Sequence, residues 1–296
     1  MVNEMVQKLL DEIKTAIPTL PALQKKVGIF ICEHPQMLGL LSLSEFAERI
    51  GVSRPTVSRF CRSLGYKGFL EFSRSVQRVI EDDISHAGFF RHAYAQNACA
   101  AAGGVAHAVV ERDMINMHKL LNNLPAEAIS RCVKKMRECV SISVVGRMSA
   151  YPFAVYFEQL LAKISDKVCS LSGSDVMQAA AISRLDEHSL VFCIAFPRYS
   201  RVAVDLAAQA KRRKAVVVGI TNSEFSPLAP LSDILFTLDV DIVSYIDLMG
   251  PVMALINILC VEFGHAQYTA TEQRLRDYDA LVEESFFLRN ATHAKH

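Results

Sequence analysis

The chain has 296 residues, about half of them hydrophobic, and its formal net charge at pH 7 is +1. This length allows two domains, and the near-zero net charge excludes a uniformly basic nucleic-acid coat protein. The charge is unevenly distributed, because residues 1–80 carry 11 Lys/Arg and 7 Asp/Glu. Such asymmetry is expected of a basic nucleic-acid-binding region attached to a near-neutral body.

The cysteines and the apolar runs limit the kinds of protein that this chain can be. The eight cysteines are scattered, without a CxxC pair or a Cys–His metal spacing. This predicts reduced thiols in a cytoplasmic protein, with no bound metal or other cofactor. The N-terminal stretch mixes acidic with apolar residues, unlike a signal peptide. The longest largely apolar run, 248–261, has 14 residues and is too short to cross a bilayer, so we expect no membrane partner.

The first 80 residues are predicted to be all helical. Segments 3–16 and 21–32 have helical periodicity and supply apolar surface to the segment that follows. Ser42 with Glu45 three residues later is a capping box that predicts a helix start. Gly51 predicts the end of that helix in the left-handed conformation.

A second short helix follows after a tight turn. Ser53 is predicted to cap it, Pro55 is tolerated in its first turn, and Gly65 ends it. Its apolar stripe consists of Val57, Phe60, Cys61 and Leu64. Two short helices joined by a glycine-containing turn are typical of a helix-turn-helix unit.

The remaining face of this second helix is basic and hydroxyl-bearing. From Ser53 to Lys67 there are four basic side chains and no acidic one. An ordinary solvated face usually mixes charges of both signs, whereas one-signed charge with short hydroxyls suits phosphate contacts and base reading in the major groove of double-stranded DNA. The predicted DNA-binding residues are Arg54, Pro55, Thr56, Ser58, Arg59, Arg62 and Lys67.

The stretch VSRPTVSRFCRSLGYKGF resembles the helix-turn-helix signature of RpiR/MurR-type bacterial transcription regulators. The resemblance implies an N-terminal DNA-binding domain followed by a C-terminal sugar isomerase (SIS) domain. We therefore predict a helix-turn-helix domain over 1–80, a helical linker over 81–127, a SIS domain over 128–270, and a C-terminal helix and tail over 271–296. The linker helices either form a subunit contact or pack on their own sheet.

The pattern after Cys139 is that of an α/β domain. Nearly continuous apolar runs alternate with helical segments, which is typical of a parallel, doubly wound sheet with helices on both faces. Helices are predicted near 150–164, 174–184, 201–213, 223–231 and 248–263. Five strands are predicted, at 140–145, 167–171, 189–195, 215–220 and 233–238.

Polar loops follow three of these strands, where open parallel sheets bind ligands. Arginines and hydroxyls that open a helix form an anion site together with the free backbone N–H groups. The predicted ligand-binding residues are Arg147, Ser149, Arg198, Ser200, Arg201 and Thr221. The serines could instead be simple N-caps, and the arginines solvent-exposed loop charges.

The SIS family implies a phosphosugar ligand for these loops. Matched by position, Ser149 takes the place of the first-loop serine and Ser200 that of the terminal threonine in the family pattern S-x-S-G-x-T. Ala195 and Pro197 replace the two serines of that pattern, and Arg198 replaces its glycine. The ITNS…SPLA stretch from residue 220 also resembles the family.

Three functions remain open at this stage. The first is a transcription regulator of sugar metabolism, not an enzyme, that senses a phosphorylated sugar and binds a DNA operator as a homodimer or homotetramer. The second is a phosphosugar isomerase, for which Glu158 and His188 are loose candidates as the base. The third is a DNA-binding oligomer without any small-molecule ligand.

Overall fold

The computed structural model describes residues 4–33, 43–73, 75, 104–171, 175–243 and 245–285. The chain divides into two units, one of residues 1–105 with 242–246 and the other of residues 106–241 with 247–296. Ser42, the predicted domain end near residue 80, the start of the predicted linker and the tail beyond residue 285 lie outside the described residues. The boundaries of the four predicted segments stay predictions.

The first unit is helical throughout its described part. Its elements are α1 (Glu4–Ala16), a 3-10 turn (Ile17–Thr19), α2 (Ala22–Glu33), α3 (Leu43–Ile50), α4 (Arg54–Ser63) and helical residues 69–73. Phe46, Phe60 and Phe72 are fully buried between them. Burial of each such phenylalanine stabilises the fold by about 1.5–3 kcal/mol. Because the flanking helices help to bury these rings, they stabilise the helix-turn-helix formed by α3 and α4.

The second unit contains a parallel sheet with helices on both faces. Its helices are α5 (Gly104–Asn122), α6 (Ala126–Glu138), α7 (Tyr151–Ile164), α8 (Asp175–Ser183), α9 (Arg201–Arg212), α10 (Gly250–Ala266) and α11 (Tyr268–Ser285). Its main strands are β1 (Ser141–Gly146), β2 (Ser189–Ile194), β3 (Val216–Thr221) and β4 (Ile234–Thr237). The chain also forms a short pair, β5 (Ile242–Val243) with β6 (Ile246–Asp247).

The sheet has four strands in the order β1-β2-β3-β4, all parallel. The expected fifth strand at 167–171 makes only one parallel bridge, between Val168 and Ile142. The Ser143 hydroxyl donates to the Cys169 carbonyl at 2.6 Å, so a side chain makes the next contact between the two segments. The described sheet therefore has four strands where five were predicted.

The two faces of the sheet pack against different helices. Side chains such as Val144, Phe192 and Ile220 pack with α6, α7 and α10. Their neighbours in sequence, such as Val145 and Cys193, pack with α9. Burial on both faces explains why these strands are nearly continuous apolar runs.

The predicted helix at 223–231 is wrong. The segment forms successive tight turns, in which Ser226 N–H donates to Ser223 O and Ala229 N–H donates to Ser226 O, followed by a 3-10 turn at Ala229–Leu231. Pro227 and Pro230 lack the N–H groups that an α-helix would need there.

The remaining expectations concern membranes, cysteines and metal ions. Among the described helices, none combines the length and apolar character needed to cross a membrane. The described cysteines are free thiols, four of them buried, whereas Cys169 is exposed. Cys99 lies outside the described residues. In the described ranges, no cluster of three His, Cys, Asp or Glu side chains could hold a metal ion.

Candidate DNA-binding and ligand-binding sites

Two glycines shape the turn and the end of the helix-turn-helix. Gly51 has φ +69° and Gly65 has φ +89°, so both adopt the left-handed conformation predicted from the sequence. Val52 N–H donates to Ala47 O at 3.0 Å, and Tyr66 N–H donates to Cys61 O at 3.1 Å. These six-to-one hydrogen bonds are those of the Schellman motif, which ends a helix abruptly.

The N-terminus of α4 is built around two hydroxyls. Ser53 occupies the N-cap position, and its hydroxyl lies 2.9 Å from the hydroxyl of Thr56. Arg59 Nη2 donates to the same Thr56 oxygen at 3.4 Å. The expectation that Thr56 projects outward is wrong, because its side chain is 3 % exposed. Thr56 therefore holds the Arg59 guanidinium by a hydrogen bond from the buried side of α4.

The exposed face of α4 is otherwise as predicted. Arg54, Pro55, Arg59, Arg62 and Lys67 are exposed, and Ser58 is half-buried. Arg62 Nε donates to the Lys67 carbonyl at 3.4 Å, and the Lys67 N–H donates to Glu71, which brings one acidic group to the edge of this face. Exposed arginines on a short helix that follows a tight turn suit insertion into the major groove.

The ligand-site candidates lie where two neighbouring strands end. Gly146 of β1 is opposite Ile194 of β2. The chain leaves β1 into α7 on one face of the sheet and leaves β2 into α9 on the other face. At such a switch point the two loops diverge and open a crevice at the carboxyl ends of the strands. The loops at this crevice are residues 147–150 and 195–200.

The first loop turns sharply from strand to helix. A Cβ atom on Gly146 would lie 2.4 Å from the Ala150 carbonyl oxygen, so only glycine fits this position. Met148 has φ +57° and is 80 % exposed. Arg147 Nη1 donates to the Gly146 carbonyl at 3.0 Å, and Ser149 is exposed, so both polar side chains of this loop lie at the surface of the crevice.

The second loop keeps a backbone conformation that favours glycine. Arg198, which stands where the SIS pattern has glycine, has φ +60°. Ser200 is the N-cap of α9, and its hydroxyl accepts from Ala203 N–H at 3.5 Å. Arg201 is 93 % exposed and forms an ion pair with Asp205 at 3.6 Å. Capping therefore occupies Ser200 in this structure, while Arg198 and Arg201 reach solvent.

A tyrosine joins the second loop to the loop after β3. The Tyr199 hydroxyl donates to Asn222 Oδ1 at 2.7 Å. Burial raises the pKa of Tyr199 to about 12, against the opposing effect of the neighbouring Thr221 and Asn222 side chains. Thr221 is fully buried and its hydroxyl oxygen has no hydrogen-bond partner, so it lies in the wall of the site and is not open to solvent.

Glu158 of α7, a loose candidate for the base of an isomerase, turns toward the interior. It is half-buried, and its Oε1 atom is inaccessible to solvent and has no hydrogen-bond partner. Burial raises the pKa of the Glu158 carboxyl above its usual range, while Arg147 and a hydrogen bond with the Val144 backbone oppose this shift. Its spacing, four residues after Ala154 and three before Leu161, already indicates the inner face of the helix.

His188, the other loose candidate for a base, lies elsewhere. It is exposed in the turn that leads into β2, at the amino end of the strand. Its backbone N–H donates to Asp186 Oδ1 at 3.0 Å. The crevice at the carboxyl ends of the strands therefore does not include His188.

Family comparisons agree with this architecture. Residues 7–82 match the helix-turn-helix domain of the rpiR family, and residues 135–261 match the SIS domain. The HTH-type transcriptional regulator HexR of Pseudomonas aeruginosa is 26 % identical over 259 residues, 86 % of this chain and 87 % of that protein. HexR of Escherichia coli K12 is 23 % identical over 283 residues, 94 % of this chain and 96 % of that protein.

Solved structures share the fold. The Vibrio vulnificus NanR protein complexed with ManNAc-6P has a TM-score of 0.64 at 17 % identity, covering 93 % of this chain and 98 % of that one. The sugar isomerase domain of an RpiR transcription factor from Sphaerobacter thermophilus has a TM-score of 0.56 at 22 % identity, covering 58 % of this chain and 97 % of that one. With a helix-turn-helix of the rpiR family followed by a SIS domain, this chain belongs to the RpiR-type transcription regulators.

Proposed function

We propose that this regulator controls genes of sugar metabolism and that a phosphorylated sugar, bound at the crevice between β1 and β2, alters its affinity for an operator. The observation that carries the proposal is the meeting of two arginine-bearing loops at the switch point of the sheet. Both loops open a helix, so backbone N–H groups and guanidinium groups contribute to one anion site.

The crevice offers different chemistry to the two ends of a phosphosugar. Arg147, Arg198 and Arg201 supply positive charge for the phosphate, with Ser149 as a further donor. Glu158 is half-buried near Arg147, and a carboxylate can accept hydrogen bonds from sugar hydroxyls. The complex of NanR with ManNAc-6P supports the same ligand class.

The relatives, and not the chemistry of the crevice, favour a regulator over an isomerase. Aldose–ketose isomerisation needs a base within hydrogen-bond reach of the proton that it removes, and Glu158 of α7 is a carboxylate that could take that role. The curated relatives HexR are named transcriptional regulators. We infer binding without turnover.

Effector binding is expected to act on DNA affinity through linkage. If the phosphosugar binds the DNA-competent and DNA-incompetent arrangements with different affinity, it shifts the population between them. The size of the shift equals the difference in binding free energy, and a hundredfold difference corresponds to about 2.7 kcal/mol.

The first test is a thermal-shift screen of the purified full chain against phosphosugars, with the unphosphorylated sugars as controls. A ligand that binds only the native state at 100 times its Kd stabilises the protein by about 2.7 kcal/mol. The phosphosugar that raises the melting temperature is then added to the protein bound to a DNA fragment selected from the source genome, and DNA affinity is followed by fluorescence anisotropy.

Each outcome has a distinct meaning. Stabilisation by one phosphosugar, together with a change in DNA affinity, supports the sensor proposal. A flat screen by a protein that still binds its selected DNA favours the alternative, a DNA-binding oligomer without a small-molecule ligand. Conversion of the phosphosugar, seen by NMR of the mixture, would overturn binding without turnover.

A further inference from the structure

Three polar side chains are linked in series at the N-terminus of α4. Arg59 Nη2 donates to Thr56 Oγ1 at 3.4 Å, and Thr56 Oγ1 lies 2.9 Å from Ser53 Oγ. Residues three positions apart are neighbours on a helix surface, which brings both contacts within reach. Thr56 is buried, whereas Ser53 and Arg59 are exposed. We call these three residues the relay.

Helix capping does not explain the relay. An N-cap serine usually accepts a hydrogen bond from the backbone N–H of the second or third helical residue. In α4 the second residue is Pro55, which has no N–H, and the Thr56 N–H donates to the Ser53 carbonyl at 2.9 Å. Within the described part of α4, the Ser53 hydroxyl caps no backbone N–H and contacts the Thr56 hydroxyl instead. The two hydroxyls therefore interact with each other and with Arg59.

The protons of the relay follow from donor and acceptor chemistry. A guanidinium group only donates, so Thr56 Oγ1 accepts from Arg59. The proton of the buried Thr56 hydroxyl needs an acceptor, and Ser53 Oγ is within reach. We assign this proton to the contact with Ser53. Thr56 then donates to Ser53 and accepts from Arg59, so that Ser53 fixes the direction in which the Thr56 lone pairs point.

We propose that the relay orients Arg59 to read a guanine of the operator, with Thr56 as the positioning residue. Arginine donates side by side to the O6 and N7 atoms of guanine in the major groove. A guanidinium has five N–H donors, and Thr56 needs only one of them. The Thr56 side chain is buried and β-branched, which restricts its own rotation. An arginine that is already restrained loses less conformational freedom when it binds a base.

Arg62, on the same face of α4, is held in a different way. Its Nε atom donates to the Lys67 carbonyl, beyond the end of the helix. In a helix-turn-helix the N-terminal residues of the second helix contact base edges, and Arg59 is nearer to that end than Arg62. Arg62 therefore suits a phosphate contact, whereas Arg59 suits a base. This inference rests on operator binding by α4, as in the proposed function, and is independent of the phosphosugar.

The first experiment removes the Thr56 hydroxyl and keeps the shape of the side chain. Thr56→Val should bind the selected operator about 3- to 10-fold more weakly and random DNA as tightly as the wild type, measured by fluorescence anisotropy. Thr56→Ser retains the hydroxyl and should restore most of the affinity. Thr15→Val is the matched control, because the Thr15 hydroxyl donates to the Asp11 carbonyl within α1. An unchanged operator affinity of Thr56→Val, or an equal loss on both DNAs, would overturn the proposal.

The second experiment asks whether Thr56 acts through Arg59. In an Arg59→Ala background, Thr56→Val should cause no further loss of operator affinity, because the two residues act as one unit. Two independent, additive losses would contradict positioning.

The third experiment replaces each guanine of the operator in turn by 7-deazaguanine, which lacks the N7 acceptor. One replacement should weaken binding by the wild type, have a smaller effect on Thr56→Val and have none on Arg59→Ala. A merely structural role of Thr56 would leave the sensitivity to each guanine unchanged. The same sensitivity in Arg59→Ala as in the wild type at every guanine would overturn base reading by Arg59.

The outcomes separate this inference from the proposed function. A full chain that selects no DNA sequence would overturn both. An operator that the wild type and Thr56→Val bind equally well would overturn the relay alone. The absence of any phosphosugar response would overturn the sensor and leave the relay unaffected.

Discussion

Arg198→Gly separates the backbone role of this loop from its chemical role. Arg198 has φ +60°, a conformation that costs an L-residue roughly 1–2 kcal/mol. Glycine removes that cost, but it loses about 0.5–1 kcal/mol more conformational entropy on folding than other residues. We therefore expect a net stabilisation of about 0.5–1 kcal/mol, which corresponds to a rise of about 1–4 °C in melting temperature for a unit of 150–250 residues.

The same substitution should weaken effector binding. A hydrogen bond to a charged group contributes about 1.5–3 kcal/mol, so loss of the guanidinium should raise the Kd of the phosphosugar by about 10- to 100-fold. Calorimetric titration with the phosphosugar that most stabilises the wild type, or with inorganic phosphate, measures this change. The variant is thus expected to be more stable and to bind less tightly.

Lys214→Gly is the matched control. Lys214 has φ +66° just after the end of α9, away from the crevice, so its replacement should stabilise the protein without affecting the ligand. Unchanged affinity in Arg198→Gly would refute a phosphate contact by Arg198. Stabilisation by Lys214→Gly alone would instead show that an interaction of the Arg198 side chain outweighs the strain of its backbone.

Three further predictions address the turn, the DNA-binding helix and the buried carboxyl. Gly146→Ala should destabilise the protein by about 2–3 kcal/mol in urea unfolding, because its Cβ would lie 2.4 Å from the Ala150 carbonyl oxygen; unchanged stability would mean that the turn can relax. Arg59→Ala should cost about 1–3 kcal/mol of binding to the selected operator if it reads a base, with unchanged melting temperature, whereas an equal loss on random DNA would identify a phosphate contact. Glu158→Gln should raise the melting temperature at pH 7–8, because a raised pKa means that the folded state disfavours the carboxylate. This advantage should fade as the pH falls toward the pKa of the unfolded carboxyl, where Glu158 is protonated in both states, and a difference that is constant from pH 4 to 8 would contradict the burial of its charge.

Much of the helix-turn-helix could be predicted because its signals are local. Gly51 and Gly65 end their helices in the predicted left-handed conformation, and Ser53 occupies the predicted N-cap position, although its hydroxyl contacts the Thr56 hydroxyl and not a backbone N–H. A cap or a glycine acts within one turn of backbone, so the sequence around it carries the required information. Thr56 differs because its burial depends on the neighbouring side chains of Ser53 and Arg59, which periodicity alone does not reveal.

Two segments of the second unit differ from the prediction. The segment at 167–171 has strand-like composition, yet it makes a single bridge with β1, between Val168 and Ile142. At 223–231, Pro227 and Pro230 were visible in the sequence and favour turns over a helix. The limited pairing at 167–171 depends on tertiary contacts, whereas the turns at 223–231 are indicated by the two prolines in the sequence.

The sequence by itself determined the order of the elements, the glycine positions of the turns, the basic face of α4 and the strand ends from which a ligand site could be built. Only the tertiary structure decided which strand ends are neighbours, that the segment at 167–171 makes a single bridge, and that Thr56 is buried. The physical reason is that capping and periodicity act within a few residues. Tertiary contacts depend instead on residues far apart in the chain, as where the buried Asn116 side chain lies against Asp241, 125 positions away.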